Sequence, residues 1–182
     1  MEKILITGTG RCGTTFLIKL FSFLNFDTGY TKDNYKDFIF DNCNSGMERD
    51  YNDQYYVLKN PTFISNIENI INDSSIKIKM VILPIRNFNL SAQSRVNNDY
   101  NTGGLWNATD AKTQIQYYEK IISNYIYFMT KYNIPTIFID FDTMVTNKLY
   151  LFEKLKIILD EKNINYNLFC KIYDEVSITS KR

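Results

Sequence analysis

The residues best suited to chemistry lie between positions 8 and 15, in the sequence GTGRCGTT. An apolar run, Lys3–Thr7, precedes them and an amphipathic stretch, Gly13–Leu24, follows, which predicts a strand, a glycine-containing turn and a helix. The first turn of a helix has backbone N–H groups without intrahelical partners, and the helix dipole favours an anion there. Glycines let the backbone approach such an anion closely. The segment therefore predicts a phosphate-binding site.

This loop differs from the phosphate loop of nucleoside triphosphatases. The spacing from Gly8 to Gly13 matches that pattern, which continues with Lys and then Ser or Thr. Here Thr14 and Thr15 follow instead, and a cation, Arg11, lies inside the loop. The lysine that reaches the outer phosphates of a triphosphate is thus missing, which indicates a different anionic ligand.

A second candidate anion site lies in residues 79–95, KMVILPIRNFNLSAQSR. A short apolar run typical of a buried parallel strand ends at Arg86, and a helix-like stretch containing Ser91 and Ser94 follows. Ser94 comes eight residues after Arg86, a little over two helical turns, so its side chain can face back toward the strand end. The planar guanidinium of Arg86 suits a phosphate because it can donate two parallel hydrogen bonds.

Both segments resemble motifs of the sulfotransferases that use 3'-phosphoadenosine 5'-phosphosulfate (PAPS). GTGRCGTTFL resembles their 5'-phosphosulfate loop, with Cys12 at the usual serine, and Arg86 with Ser94 has the spacing of their 3'-phosphate motif. Residues 55–71 resemble the second strand and its Lys-x-Pro turn, and residues 134–159 resemble the strand with an acidic end. The resemblance covers residues 3 to about 160, but nothing after it resembles the family's Gly-rich C-terminal loop.

The resemblance implies a sulfuryl transfer from PAPS, without a metal, to a hydroxyl or amine of a small molecule or carbohydrate. It implies that Arg11 and Lys59 are the cations that act on the transferred group. The 3'-phosphate would bind Arg86 and Ser94. The 5'-phosphosulfate would bind the backbone amides of residues 13–16 and the loop residues Gly10, Arg11, Cys12, Gly13, Thr14 and Thr15.

Many members of the family use a histidine as the catalytic base, but this chain has no histidine. A carboxylate must then take the place of the histidine as the base. Asp41, Glu48 and Asp50 lie between the first helix and the second strand, where they could form the acceptor wall, and we favour Glu48. Asp140 and Asp142 are expected to cap a helix or to orient Arg11 instead.

Other interpretations are open. A P-loop nucleotide kinase could hold magnesium with Thr14 and Asp140, and a catalytically inactive nucleotide-binding module or an interaction protein could use the same fold. Cys12 could be a thiolate nucleophile beside Arg11. A phosphatase loop would need an arginine at Ile18, so a small buried residue is the preferred interpretation of Cys12.

Composition indicates a single domain, residues 1–182, that is neither fibrous nor disordered. The net charge of +1 argues against a nucleic-acid partner bound by a broad basic face. The three cysteines, Cys12, Cys43 and Cys170, suggest neither a disulfide framework nor a zinc site. We expect no signal peptide, no membrane span and a cytoplasmic location. Lys181 and Arg182 are candidates for tail charge near the ligand.

The pattern of elements predicts an α/β fold: a three-layer α/β/α domain with a central, mainly parallel sheet, like that of P-loop NTPases. Ligands then bind at the carboxyl ends of the strands, where Arg11, Lys59, Arg86 and Asp140 converge. Predicted strands are Lys3–Thr7, Tyr55–Leu58, Lys79–Leu83 and Thr136–Asp140. Predicted helices are Gly13–Leu24, Phe63–Asn72, Asn87–Val96, Asp110–Tyr132 and one or two at the C-terminus, while Thr28–Asp53 and a loop around Thr102, Gly103, Gly104 and Trp106 are irregular.

Overall fold

A computed structural model describes residues 2–40, 45–98 and 103–180. The strands are β1 (Glu2–Ile6), β2 (Ile39–Phe40), β3 (Ser45–Gly46), β4 (Val57–Lys59), β5 (Lys77–Ile85) and β6 (Thr136–Asp140). The helices are α1 (Thr14–Phe23), α2 (Phe63–Asn72), α3 (Phe88–Val96), α4 (Ala111–Lys131), α5 (Phe141–Met144), α6 (Lys148–Leu159) and α7 (Tyr166–Ser180).

The central sheet has four parallel strands in the order β4-β1-β5-β6. Ile4 of β1 pairs with Val57 on one side and Met80 on the other, so β1 lies inside the sheet. Parallel neighbours need crossover connections, and the helices between the strands supply them. The chain leaves β1 for β4 at one edge of the sheet and leaves β5 for β6 at the other edge. Because these connections diverge from two neighbouring strands, a crevice is expected beyond the carboxyl ends of β1 and β5.

Two separate apolar cores lie on the two faces of the sheet. Ile4 and Ile6 of β1 belong to the core that contains residues of α1, α6 and α7. Leu5, between them, belongs to the core that contains residues of α2, α3 and α4. Successive strand residues point to opposite faces, so a run of apolar residues is what a sheet covered on both sides requires. The α/β fold with a parallel sheet flanked by helices is therefore confirmed.

The structure differs from the expected elements in several places. Three helices, α5, α6 and α7, follow β6, where one or two were expected, and β1 begins and ends one residue earlier than predicted. The strand β5 is longer at both ends than predicted, and β4 begins two residues later and includes Lys59. The segment Thr28–Asp53 is not wholly irregular, because it contains a 3-10 turn, Tyr35–Phe38, and the antiparallel pair β2-β3. These pieces are two to four residues long, too short to show a hydrophobic period in the sequence.

The longest described helix, α4, has 21 residues and carries lysine and glutamate along its length. Across residues 2–40, 45–98 and 103–180, none of the helices combines the length and the apolar content needed to cross a bilayer.

The packing of α1 against the sheet can be tested with a pair of leucines. Leu17 of α1 is completely buried, whereas Leu90 of α3 is 52% exposed. We expect Leu17→Ala to lower the free energy of unfolding by about 2 to 5 kcal/mol, because it removes buried methyl groups and leaves a cavity. Leu90→Ala, the matched control, should change it by about 0.5 kcal/mol or less. Urea unfolding monitored by circular dichroism measures both; equal losses would contradict this packing.

Candidate functional site

A cavity of about 440 Å³ lies at the carboxyl edge of the sheet, beside the loop between β1 and α1. Among the described residues, its charged lining consists of one carboxylate, Glu48, and five cations: Arg11, Lys19, Lys59, Arg86 and Arg95. The whole chain carries a formal net charge of only +1, so the positive charge is concentrated here. Such a cavity favours an anionic ligand.

The loop that borders this cavity has a left-handed backbone at three positions. The φ angles of Gly10, Arg11 and Gly13 are 74°, 57° and 88°. Gly13 is the N-cap of α1 and contributes no side-chain cap, and the first turn holds no acidic residue. The first hydrogen bond within the helix runs from the Leu17 N–H to the Gly13 carbonyl. The N–H groups of residues 14–16 therefore lie ahead of the helical ladder, as an anion site requires.

Arg95 of α3 holds this loop from behind and is only 7% exposed. One of its terminal nitrogens donates to the Thr9 carbonyl at 3.0 Å, and the other donates to the carbonyls of Gly103 and Gly104. A Cβ on Gly10 would lie 2.1 Å from the Arg95 guanidinium. Sequence reasoning missed Arg95, and no signal in the sequence distinguishes it from an ordinary helical arginine.

Cys12 is completely buried inside the loop. Burial raises the pKa of its thiol, which opposes the thiolate that a nucleophile would need. A Cβ on Gly8 would lie 2.7 Å from the Cys12 sulfur, so the two residues pack tightly together. The preferred sequence interpretation, a small residue filling space, agrees with this position.

Lys59 and Glu48, two of the three predicted catalytic residues, form an ion pair in the structure. The Lys59 side chain is only 1% exposed, whereas that of Glu48 is 36% exposed. The Lys59 ammonium also donates to the Gly46 carbonyl at 3.0 Å and to the Thr15 hydroxyl at 3.3 Å. Lys59 thus connects the first turn of α1 with Glu48, the only carboxylate among the described residues that line the cavity.

Arg86 follows β5 and lies against the loop. One terminal nitrogen donates to the Arg11 carbonyl at 3.4 Å, and the guanidinium carbon lies 4.9 Å from the centre of the Phe141 ring. Its Nε is buried and has no hydrogen-bond partner among the described residues. Ser94, expected to act with Arg86, instead accepts a hydrogen bond from Arg11 Nε at 3.2 Å. Of this predicted pair, only Arg86 lines the cavity.

The remaining acidic candidates have other roles. Asp140 caps α5, where its Oδ2 accepts from the Thr143 N–H at 2.7 Å. Hydrogen bonds from the Thr143 hydroxyl and N–H hold the pKa of Asp140 below its usual value. Asp50 accepts a hydrogen bond from the Tyr51 N–H, and neither aspartate is among the described residues that line the cavity. The candidates Asp41, Cys43, Thr102, Lys181 and Arg182 lie outside the described residues.

Lys19 of α1 is a further cation that sequence reasoning missed. It is 3% exposed, and its ammonium donates to the Thr179 carbonyl and the Ser180 hydroxyl, both at 3.2 Å. The ammonium also lies 5.0 Å from the centre of the Tyr35 ring. Burial lowers the pKa of Lys19 to about 8. The available sequence signal was its position four residues after Thr15, on the same helix face.

Comparisons with models of protein families, with curated proteins and with solved structures found no match to this chain. In the described parts of the chain, no three His, Cys, Asp or Glu side chains form a group that could hold a metal ion. The functional conclusion therefore depends on the charge and geometry of the cavity.

The first site prediction concerns the ion pair of Glu48 with Lys59. Glu48→Gln should lower the free energy of unfolding by about 2 kcal/mol or more, because it leaves the buried Lys59 ammonium without its counter-charge. Adding Lys59→Met to that variant should restore most of the loss. The matched control is Glu175→Gln, whose partner Lys32 is exposed, and its effect should stay within about 0.5 kcal/mol. A double variant no more stable than Glu48→Gln would contradict this interpretation.

The second site prediction concerns the pH dependence of stability. The pKa of Lys19 falls from 10.5 to about 8 on folding, so the unfolded chain binds more protons between these values. The contribution of Lys19 to the free energy of unfolding should therefore rise as the pH increases from about 8 to 10.5. Urea unfolding of the wild type and of Lys19→Met across this range isolates the effect. A constant difference between their free energies of unfolding would show that Lys19 does not titrate there.

Proposed function

We propose that this chain is a PAPS-dependent sulfotransferase with a P-loop-like fold, which transfers a sulfuryl group to a hydroxyl or amine acceptor. The observation that carries the proposal is the convergence of anion-binding groups at one edge of the sheet. The open N-terminus of α1, Arg11 after β1, Lys59 at the end of β4 and Arg86 after β5 all line one cavity.

The first turn of α1 is suited to the 5'-phosphosulfate. The N–H groups of residues 14–16 can donate to an anion without competition from an acidic side chain in that turn. Lys59 lies next to this turn through its hydrogen bond to the Thr15 hydroxyl. In nucleoside triphosphatases a lysine of the loop itself supplies a cation to the phosphates, and this loop lacks that lysine. Lys59 supplies a cation from the neighbouring strand, β4.

Arg86 is suited to the 3'-phosphate. Its guanidinium is held against the Phe141 ring, and its buried Nε has no hydrogen-bond partner within the described part of the chain. A buried donor in that state is stabilised by an acceptor such as a phosphate oxygen. The N-terminus of α1 and the Arg86 guanidinium, which line the same cavity, together suit a nucleotide with phosphates at both its 3' and 5' positions.

The transfer step needs a base and cations near the sulfuryl group. In the proposed reaction the acceptor oxygen or nitrogen attacks sulfur in line, the new bond to sulfur forms, and the bond to the bridging phosphate oxygen breaks. Glu48 accepts the acceptor's proton, and 3'-phosphoadenosine 5'-phosphate leaves with the bonding electrons. Lys59 and Arg11 offset the charge that develops on the sulfuryl and bridging oxygens.

The position of Asp140 favours this proposal over a nucleotide kinase. A kinase would need a carboxylate near Thr14 to hold magnesium. Asp140 instead uses its carboxylate to cap α5 and is not among the described lining residues. Glu48, the one carboxylate among the described lining residues, is paired with Lys59.

A thermal-shift comparison tests the proposal. We expect 3'-phosphoadenosine 5'-phosphate without metal, at about 100 times its Kd, to stabilise the fold by about 2.7 kcal/mol and to raise Tm by about 5 °C or more. ATP with magnesium should produce a much smaller shift. Equal shifts for the two ligands, or no shift with the bisphosphate, would overturn the proposal.

The same assay tests the role of Arg86. Arg86→Ala should weaken binding of 3'-phosphoadenosine 5'-phosphate by roughly 2 to 3 kcal/mol, because a charged hydrogen bond to the 3'-phosphate is lost. Adenosine 5'-phosphosulfate, which has no 3'-phosphate, is the control ligand, and its affinity should change little. Equal losses for both ligands would show that Arg86 does not bind the 3'-phosphate.

A further inference from the structure

The part of the cavity wall around Lys19 has no role in binding the nucleotide as proposed above. Thr15 and Lys19 are four residues apart on α1, so they share a helix face and are separated by about 6 Å along its axis. Lys19 contacts Tyr35 and the end of α7, whereas Arg86 contacts Arg11 and Phe141. These two cations therefore hold different parts of the wall, with Lys59 and Glu48 beside the first turn of α1.

The ammonium of Lys19 is arranged to receive an anion. Among the described residues, no carboxylate forms an ion pair with it, unlike the buried Lys59. Its two hydrogen-bond acceptors, the Thr179 carbonyl and the Ser180 hydroxyl, are uncharged. An ammonium has three N–H donors, so one more can be directed to a ligand. Burial of a cation without a counter-charge is costly, and an anionic ligand would offset that cost.

Several of the other described residues that line the cavity are apolar. Ile39 and Phe40 of β2 line the cavity, as does Val145 after α5. Phe40 is 58% exposed and Val145 is 37% exposed, so a ligand can bury further apolar surface there. A cavity that has apolar lining as well as the buried Lys19 ammonium suits a molecule with both a carbon framework and an acidic group.

We propose that Lys19 binds an acidic group of the acceptor, so that the acceptor carries a carboxylate, sulfate or phosphate besides the hydroxyl or amine that receives the sulfuryl group. This inference rests on the proposed function, because only that function assigns the part of the cavity around Lys19 to the acceptor. The reactive hydroxyl or amine then lies toward Glu48 and Lys59, and the acidic group lies one helical turn further along α1. Lys19 is a specificity-determining residue in this arrangement.

Matched acceptor pairs test the inference. The probes are 4-hydroxyphenylacetate with 4-hydroxyphenylacetamide, and glucuronate with glucuronamide, titrated calorimetrically into the full chain saturated with 3'-phosphoadenosine 5'-phosphate. In at least one pair, the wild type should bind the carboxylate about ten-fold more tightly than the amide. Lys19→Met should reduce that ratio to about two-fold or less, and Lys19→Arg should keep part of it. Lys19→Gln replaces Lys19→Met if the latter fails to fold.

The control variant is Lys36→Met, which removes the same charge from an exposed position in the 3-10 turn and should keep the wild-type ratio. A ratio near one for every pair in the wild type, or a ratio unchanged by Lys19→Met, would overturn the inference. If the bisphosphate itself does not bind, the proposed function fails. The acceptor pairs are then titrated into the protein without nucleotide. If the wild type prefers the carboxylate and Lys19→Met loses that preference, the result supports an anion site at Lys19. If Lys19→Met keeps the preference, the result overturns the anion site.

Discussion

The guanidinium of Arg95 fixes the shape of the loop on which the whole site depends. The loop after β1 leaves the sheet before α1 begins, so its carbonyls need donors from elsewhere in the fold. Arg95 donates to Thr9 and to the segment at Gly103 and Gly104. The preceding residue, Ser94, accepts from Arg11. One helix, α3, thus holds both the backbone and the cation of the loop, and it places the connection after β5 against that after β1.

Concentrating cations in one cavity is costly unless each has an acceptor of its own. Lys59 has Glu48, and Arg95 has three carbonyls. Lys19 lies at the C-terminal end of α7, where the helix dipole favours a positive charge. These partners let the fold bury the charges in the absence of a ligand, while Arg86 keeps a buried donor without a partner in the described chain. An anion that bound in this cavity would therefore meet cations already held in place, which would reduce the reorganisation that binding requires.

The sequence predicts the parts of the site that follow from strand order, because parallel strands bring their carboxyl ends to one edge. The resemblance assigned roles to Lys59 and Arg86, and strand order predicted that both lie at this edge with Arg11 and Asp140. Arg11, Lys59 and Arg86 line the cavity, whereas Asp140 caps α5. Lys19 and Arg95 were not predicted, since Lys19 contacts Thr179, 160 residues away, and Arg95 contacts Thr9, 86 residues away. No local pattern records such contacts. The pair β2-β3 was missed for another reason, because strands of two residues show no alternation of apolar and polar side chains.

The loop glycines were predicted to allow a tight turn and a close approach to a ligand, and the left-handed φ angles of Gly10 and Gly13 confirm the tight turn. The protein's own side chains also lie close beside these glycines. A Cβ on Gly13 would lie 2.6 Å from Met144 and 2.8 Å from the Phe141 ring. The absence of a side chain at Gly13 therefore lets Phe141 reach the start of α1, and Phe141 carries the Arg86 guanidinium on its ring. The same glycine thus leaves the N-terminus of α1 without a side chain and makes room for Phe141, whose ring lies against the Arg86 guanidinium. The shape of the helix end and the position of the Arg86 cation therefore both depend on the packing of Phe141.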